Sequence, residues 1–287
     1  MGHGGRRSGR RRRASGQPVL VRLVRLVRLV RLVRLVRGRR QAVRALLATA
    51  AVIIVLAAVV VGAREAAFGP DSGGGHLSAD VPDGAVVRAL AGAGLVRDGR
   101  IDVESARRMA DAVQADGHER HPRYDRDAFG PAWADTDGNG CDQRDDVLVR
   151  DLARVAFAPS DPGCTVVAGH LDDVYTGHGI DFARGPRTSA AVQIDHLVPL
   201  SWAWQHGAWS WSDERRERLA TDFDELQAVD GPTNQDKSDQ GPGTWLPPDA
   251  AYRCLYVTRF AFVVSRYGMS IDDADRDAID RVLGACS

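Results

Sequence analysis

Lysine is nearly missing from this chain. Of 38 basic residues among 287, one is a lysine, Lys237, and the other 37 are arginines. Cysteine is sparse as well: there are four, and no two form a Cys-x-x-Cys pair. That spacing makes a zinc site built on cysteine pairs improbable. In an exported chain an even count argues for disulfides instead. Acids are absent from residues 1–44, which hold fifteen arginines. A formal net charge of zero therefore hides an asymmetry, because the remaining 23 basic residues meet all 38 acids and leave residues 45–287 at −15. The tail and the body are different physical objects. The negative body lacks the bulk attraction that nucleic-acid binders usually present, although a local basic groove can coexist with a negative total.

Residues 1–19 are rich in Gly, Arg and Ser and are expected to be disordered. Residues 20–37 are six copies of Leu-Val-Arg, a period of three that fits neither a helix nor a strand. This is a low-complexity basic tract, or sequence upstream of the true start codon. From Ala45 to Ala63 there are nineteen residues without a charge, between Arg44 and Arg64. At ~1.5 Å per residue, a helix of that length matches a bilayer core. The basic flank predicts a cytoplasmic tail over 1–44, a transmembrane helix or signal anchor over 45–63, and an extracytoplasmic body. Val61-Gly62-Ala63 could instead serve as a small-residue cleavage site, giving a secreted protein. The length of the apolar run favours the single-pass anchor, and both versions export the body. Residues 64–82 read as a Gly/Pro/Ser-rich linker and 83–121 as a helical segment, with apolar periodicity from Val86 to about Ala115. Residues 122–287 form the domain that carries the chemistry.

Within that domain, Asp135-x-Asp137-x-Asn139-Gly140 places oxygen ligands at positions one, three and five of a loop and Gly at six, as in the first half of a calcium loop. Position twelve is Asp146 rather than Glu. The alternative is a polar turn stapled by Cys141. Arg144 is a candidate phosphate contact, or a structural arginine. A helix from about Ala250 to Tyr267, stopped by Gly268, and a second one capped by Ser270 and running to about Leu283 would be antiparallel. Cys254 and Cys286 then lie at neighbouring ends, which predicts Cys254–Cys286 and leaves Cys141–Cys164. Trp202, Trp204, Trp209 and Trp211 could stack on bases but suit the core of a small domain better. His206, nearby, reads as a surface histidine or a substrate contact.

Ile194-Asp195-His196-Leu197-Val198-Pro199-Leu200 and Thr233-Asn234-Gln235-Asp236-Lys237-Ser238-Asp239 organise the rest. Val192 and Ile194 suit a short strand ending at Asp195-His196, and Leu226-Gln227-Ala228-Val229 suits a second. Asp230-Gly231-Pro232 is a turn signal, with Pro232 fitting the first turn of a helix that puts Asn234 and Lys237 on one face. An Asp, a His, an Asn and a Lys would thus surround one small space. Phosphodiester hydrolysis needs such a set: a base that works near neutral pH, hard oxygen ligands for a divalent ion, and a compact positive charge.

Asp195-His196-x-x-Pro199, then a strand, then Asn234-x-x-Lys237-Ser238-Asp239 resembles the HNH endonucleases, the ββα-metal or His-Me finger group. The nearest branch looks like secreted actinobacterial proteins related to the C-terminal nuclease domain of modification-dependent restriction enzymes. That branch tends to show a Trp-x-Asp-x-x-Gly-Asn-Gly-Cys run, present here as Trp133 to Cys141. The resemblance covers roughly residues 122–286 and implies an α+β fold, a small ββα-metal finger embedded in helices and loops. It implies His196 as general base, Asp195 and Asn234 as ligands of one Mg²⁺ or Mn²⁺ ion, Lys237 on the phosphate, and nucleic acid, DNA above all, as substrate. One departure is the loop before the second strand. Family members usually carry a bracing Asn there, and here either Thr221 or Asp222 takes its place or the site is looser. The rival reading is a membrane-anchored, disulfide-stapled binding module with a degenerate, inactive nuclease fold.

Overall fold

The computed structural model describes residues 77–81, 85–117 and 121–287. The basic tail, the apolar run 45–63 and most of the linker lie outside the described residues. Among the described residues no helix is long and apolar enough to cross a membrane.

The architecture is α+β with small sheets. Helix α1 (Ala85–Gly92) leads into a hairpin of β1 (Val96–Arg97) and β2 (Arg100–Ile101), then α2 (Val103–Asp111). The single helix expected over Val86–Ala115 is therefore two helices around a turn. Asp98 and Gly99 take φ of 52° and 72°, the left-handed pair that a two-residue hairpin turn requires. Asp102 then caps α2 by accepting from Ser105 N at 3.0 Å. The apolar pattern runs through the hairpin because Leu95, Val96 and Ile101 are also buried, which is why periodicity alone reads as one helix.

Helix α3 (Gln143–Asp151) precedes a three-stranded antiparallel sheet of β3 (Ala153–Phe157), β4 (Val166–Asp172) and β5 (Gly179–Ala183). Strand β6 (Val192–His196) pairs antiparallel with β7 (Leu226–Asp230), with Asp195 opposite Gln227 and His196 opposite Leu226. Between them lie α4 (Leu200–Gln205) and α5 (Asp213–Ala220). Asp230 ends β7 and caps α6 (Gly231–Lys237), accepting from Thr233 N at 2.8 Å with Pro232 in the first turn. The ββα unit is thus β6, β7 and α6. One core joins Val147, Leu148, Val166, Phe182, Ile194 and Leu226 under this unit.

A second core gathers around α7 (Arg253–Arg266), whose Tyr256, Phe260 and Val264 are fully buried and face α2, α4 and α8 (Asp273–Ala285). Trp202 and Trp204 belong to it, so they are core residues rather than stacking platforms. Gly268, with φ of 57°, turns the chain between α7 and α8. The cap of α8 is Asp272, not Ser270. Ser270 instead donates from its backbone N and Oγ to His206 O at 3.0 and 3.3 Å. Disulfides join Cys141 to Cys164 and Cys254 to Cys286.

Candidate active site

A cavity of about 470 Å³ opens where β6 ends, with Asp195, His196, Asn234, Arg126, Tyr124 and Asp239 among its walls. Strand and helix periodicity place these groups. Gln193 and Asp195, two apart, share the strand face that meets α6. Asn234 and Lys237, three apart, share the helix face that meets β6. The two rows join by Asn234 Nδ2 donating to Gln193 Oε1 at 3.0 Å and Lys237 Nζ donating to Asp195 Oδ1 at 2.9 Å.

His196 is half-buried, and its Nε2 lies 2.9 Å from Ala220 O. A carbonyl oxygen only accepts, so Nε2 carries the proton and Nδ1 keeps its lone pair. Burial lowers the imidazole pKa to about 4; the Ala220 carbonyl works against this, and the Arg126 and Lys237 charges add to it. The ring is therefore a neutral base at neutral pH. Its carbonyl partner is itself braced. Gln143 Nε2 donates to Thr221 O, and Thr221 Oγ1 donates to Glu217 O at 2.7 Å. Asp222 accepts from Asp224 N at 2.9 Å and from Tyr267 OH at 2.7 Å.

Asp195 is 5 % exposed. Its carboxylate accepts from Lys237 Nζ and from the Tyr175 hydroxyl. Burial pushes this carboxyl up, opposed by Lys237 and by the Tyr175 hydrogen bond. Tyr175 is fully buried, and burial together with the Asp195 charge raises its pKa well above the ordinary phenol value, so it remains a donor.

Lys237 corrects a sequence expectation. It is 0 % exposed and also donates to His196 O at 2.8 Å. All its reach is used beneath the cavity, and it does not line the opening where a phosphate would lie. The cation at the opening is Arg126, which is exposed, lines the cavity, and bears electrostatically on His196. Arg126 and Tyr124 carry no sequence signal, and Tyr175-Thr176-Gly177 reads in the sequence only as a turn without a role. The first two fall in an aperiodic stretch of His, Pro and Arg, where no spacing rule distinguishes Arg123 from Arg126.

Asp195 and Asn234 suit a small divalent ion by the chemistry of their donor atoms. Both offer hard oxygens, and the Gln193 bond engages the Asn234 amide nitrogen, leaving its oxygen as the ligand atom. Two protein oxygens leave room for water and substrate.

Three other groups singled out in the sequence lie away from this cavity. Arg144 does not line the cavity; its Nη2 donates to Val192 O at 3.2 Å, and burial lowers its pKa. It anchors the start of β6. Asp135, Asp137 and Asn139 close a loop on themselves through side-chain bonds to its backbone. Asp135 accepts from Gly138 N and Gly140 N at 2.8 and 3.0 Å, and Asp137 from Asn139 N at 3.1 Å. Asn139 accepts from Cys141 N at 2.7 Å and donates to Asp146 at 3.0 Å. These are side-chain turns that mimic backbone ones. This is the polar turn stapled by Cys141. His206 is neither on the surface nor at the cavity: it is 6 % exposed and stacks on Trp202 with ring centroids 3.7 Å apart.

Comparison with known proteins gives two matches. The profile of the family described as "GmrSD restriction endonucleases, C-terminal domain" matches residues 142–281. A protein of Arthroderma benhamiae named "Uncharacterized secreted protein" is 37% identical over 166 residues, which is 57% of this chain and 76% of that protein. No solved structure matches significantly.

Proposed function

Since the chain belongs to the family of the GmrSD restriction endonuclease C-terminal domain, we propose that it is a metal-dependent HNH-type endonuclease that hydrolyses DNA outside the cytoplasmic membrane. The observation that carries this reading is the convergence of His196, Asp195 and Asn234 on one cavity, with the His196 tautomer set by Ala220. The extracytoplasmic placement rests on residues 45–63, on two disulfides, and on the similarity to a protein named as secreted.

In this mechanism Nδ1 of His196 takes a proton from a water whose oxygen attacks phosphorus. The bond from phosphorus to the 3′ oxygen breaks, leaving a 5′ phosphate and a 3′ hydroxyl. Asp195 and Asn234 would hold one Mg²⁺ or Mn²⁺, which when bound supplies a Lewis acid for the phosphate and the leaving oxygen. Arg126 offsets charge on the non-bridging oxygens. Lys237 acts indirectly as a positioning residue: it neutralises Asp195 within the fold and fixes the peptide of His196.

The purified protein with supercoiled plasmid tests this. Relaxation and linearisation in Mg²⁺ or Mn²⁺, abolished by EDTA and by His196→Ala, is the expected result. Intact plasmid under every metal condition would replace the enzyme reading with that of a binding module on an inactive nuclease fold.

A further inference from the structure

The far end of α4 holds a second cluster that the proposed nuclease chemistry does not use. One ring nitrogen of His206 and one oxygen each of Asp272 and Asp275 lie within 4.8 Å of one another. His206 and Asp275 are 6 % and 4 % exposed. Among the described residues, His206 Nδ1 is buried without a hydrogen-bond partner. It lies 3.9 Å from Asp116 Oδ2, too far for a hydrogen bond. A buried ring nitrogen without a hydrogen-bond partner, on a side chain grouped with the Asp272 and Asp275 carboxylates, asks for a ligand.

The cluster is built rather than incidental. Asp275 is fixed by Trp202 Nε1 at 2.7 Å and Gly243 N at 2.6 Å. Asp272 is fixed as the cap of α8, accepting from Asp275 N at 2.8 Å. His206 is held by its stack on Trp202 and by the Ser270 bonds to its carbonyl. Asp116 is brought alongside by its backbone N donating to Ile271 O at 2.9 Å. Arg276 spends its guanidinium on Ala110 O and Val113 O at 3.1 and 2.8 Å rather than on Asp272 or Asp275. A cavity of about 180 Å³ bordered by Asp116, His206 and Ser270 reaches the imidazole from solvent.

We propose that His206, Asp272 and Asp275 form a structural divalent-metal site, suited to Zn²⁺, separate from the Asp195–Asn234 pair. One imidazole nitrogen and two carboxylate oxygens are a donor set that Zn²⁺ accepts, with water completing the shell. The ion would tie the end of α4 to the start of α8. Because α4 begins at Leu200 and Ser201, on the wall of the large cavity, the tie steadies that wall without touching substrate. The proposal stands whether or not the protein cuts nucleic acid.

The test uses the full-length protein stripped with EDTA and titrated with ZnCl₂ alone, read by thermal unfolding, and with CoCl₂, read by visible absorption. Zn²⁺ should raise the melting temperature of wild type and of Asn234→Ala alike. Asp272→Asn keeps the helix cap, since Asn caps about as well as Asp, and should bind Zn²⁺ at least about tenfold more weakly. His206→Gln, a second variant, should lose the Zn²⁺ response and the cobalt bands. A wild-type melting temperature indifferent to Zn²⁺, or a shift equally large in Asp272→Asn, would overturn the site.

Discussion

Replacing Lys237 with methionine separates the two roles a lysine could play here. The side chain is wholly buried, 2.9 Å from the Asp195 carboxylate and 2.8 Å from His196 O. Methionine fills similar volume but leaves the Asp195 charge buried with only Tyr175 as partner. Removing one partner of a buried pair typically costs about 3–5 kcal/mol. In a domain of this size each kcal/mol moves the melting temperature by about 2–4 °C, so the expected fall is roughly 6–20 °C. Nuclease activity should fall with it, because Asp195 and the His196 peptide lose their anchor. Scanning calorimetry of Lys237→Met, Asp195→Asn and the double variant measures this. The double variant removes both charges and should be less destabilised than the sum of the singles by more than about 1 kcal/mol. A lysine that touched phosphate would behave oppositely, costing rate and sparing stability. If Lys237→Met melts within about 2 °C of wild type while cutting is lost, the buried-pair argument is wrong.

Other outcomes follow from the same geometry. His196→Ala should lower the cleavage rate by about 10²–10⁴, the usual worth of a general base, and leave the melting temperature nearly unchanged. Because burial holds the His196 pKa down to about 4, the neutral ring persists well below pH 6, and the acid limb of kcat/KM should fall near pH 4 rather than near 6.5; a limb at the ordinary imidazole value would show that another group titrates. Arg126→Gln, at an exposed position, should weaken cleavage without a thermal shift; unaltered kinetics would remove Arg126 from the phosphate. Opening Cys254–Cys286 by a double Cys→Ser change frees a separation of 32 residues, and chemical denaturation should report a loss of about 3–4 kcal/mol.

The ββα unit was legible because its signals are local. Val192 and Ile194 alternate on the core side of β6, Asp230-Gly231-Pro232 marks the turn, and Asn234 and Lys237 fall one helix face apart. The same spacing misled on depth. Three residues advance a helix by ~4.5 Å, enough to place Asn234 at the cavity and Lys237 under it, and no spacing rule reports which end of a short helix faces water. Tyr175 could not be found, because its contact with Asp195 depends on how a loop after β4 folds back beneath β6. The two antiparallel helices at the C-terminal end carried enough geometry to pair Cys254 with Cys286. His206 was misplaced for a different reason. Trp202, one helical turn earlier, covers one face of the ring, but the rest of its burial comes from Ser270 and the path of the chain between α7 and α8, which no local spacing records.

A chain with a single lysine, and that one sealed under its candidate active site, is almost blank to amine chemistry. Acylating reagents and aldehyde crosslinkers have the α-amino group to attack and otherwise only Lys237. Attack there requires the contact between α6 and β6 to separate. The appearance of one added mass at Lys237 therefore times the opening of the site itself, without any engineered label. Comparing that rate with and without Mg²⁺, or with and without DNA, would measure how firmly each ligand holds the ββα unit shut.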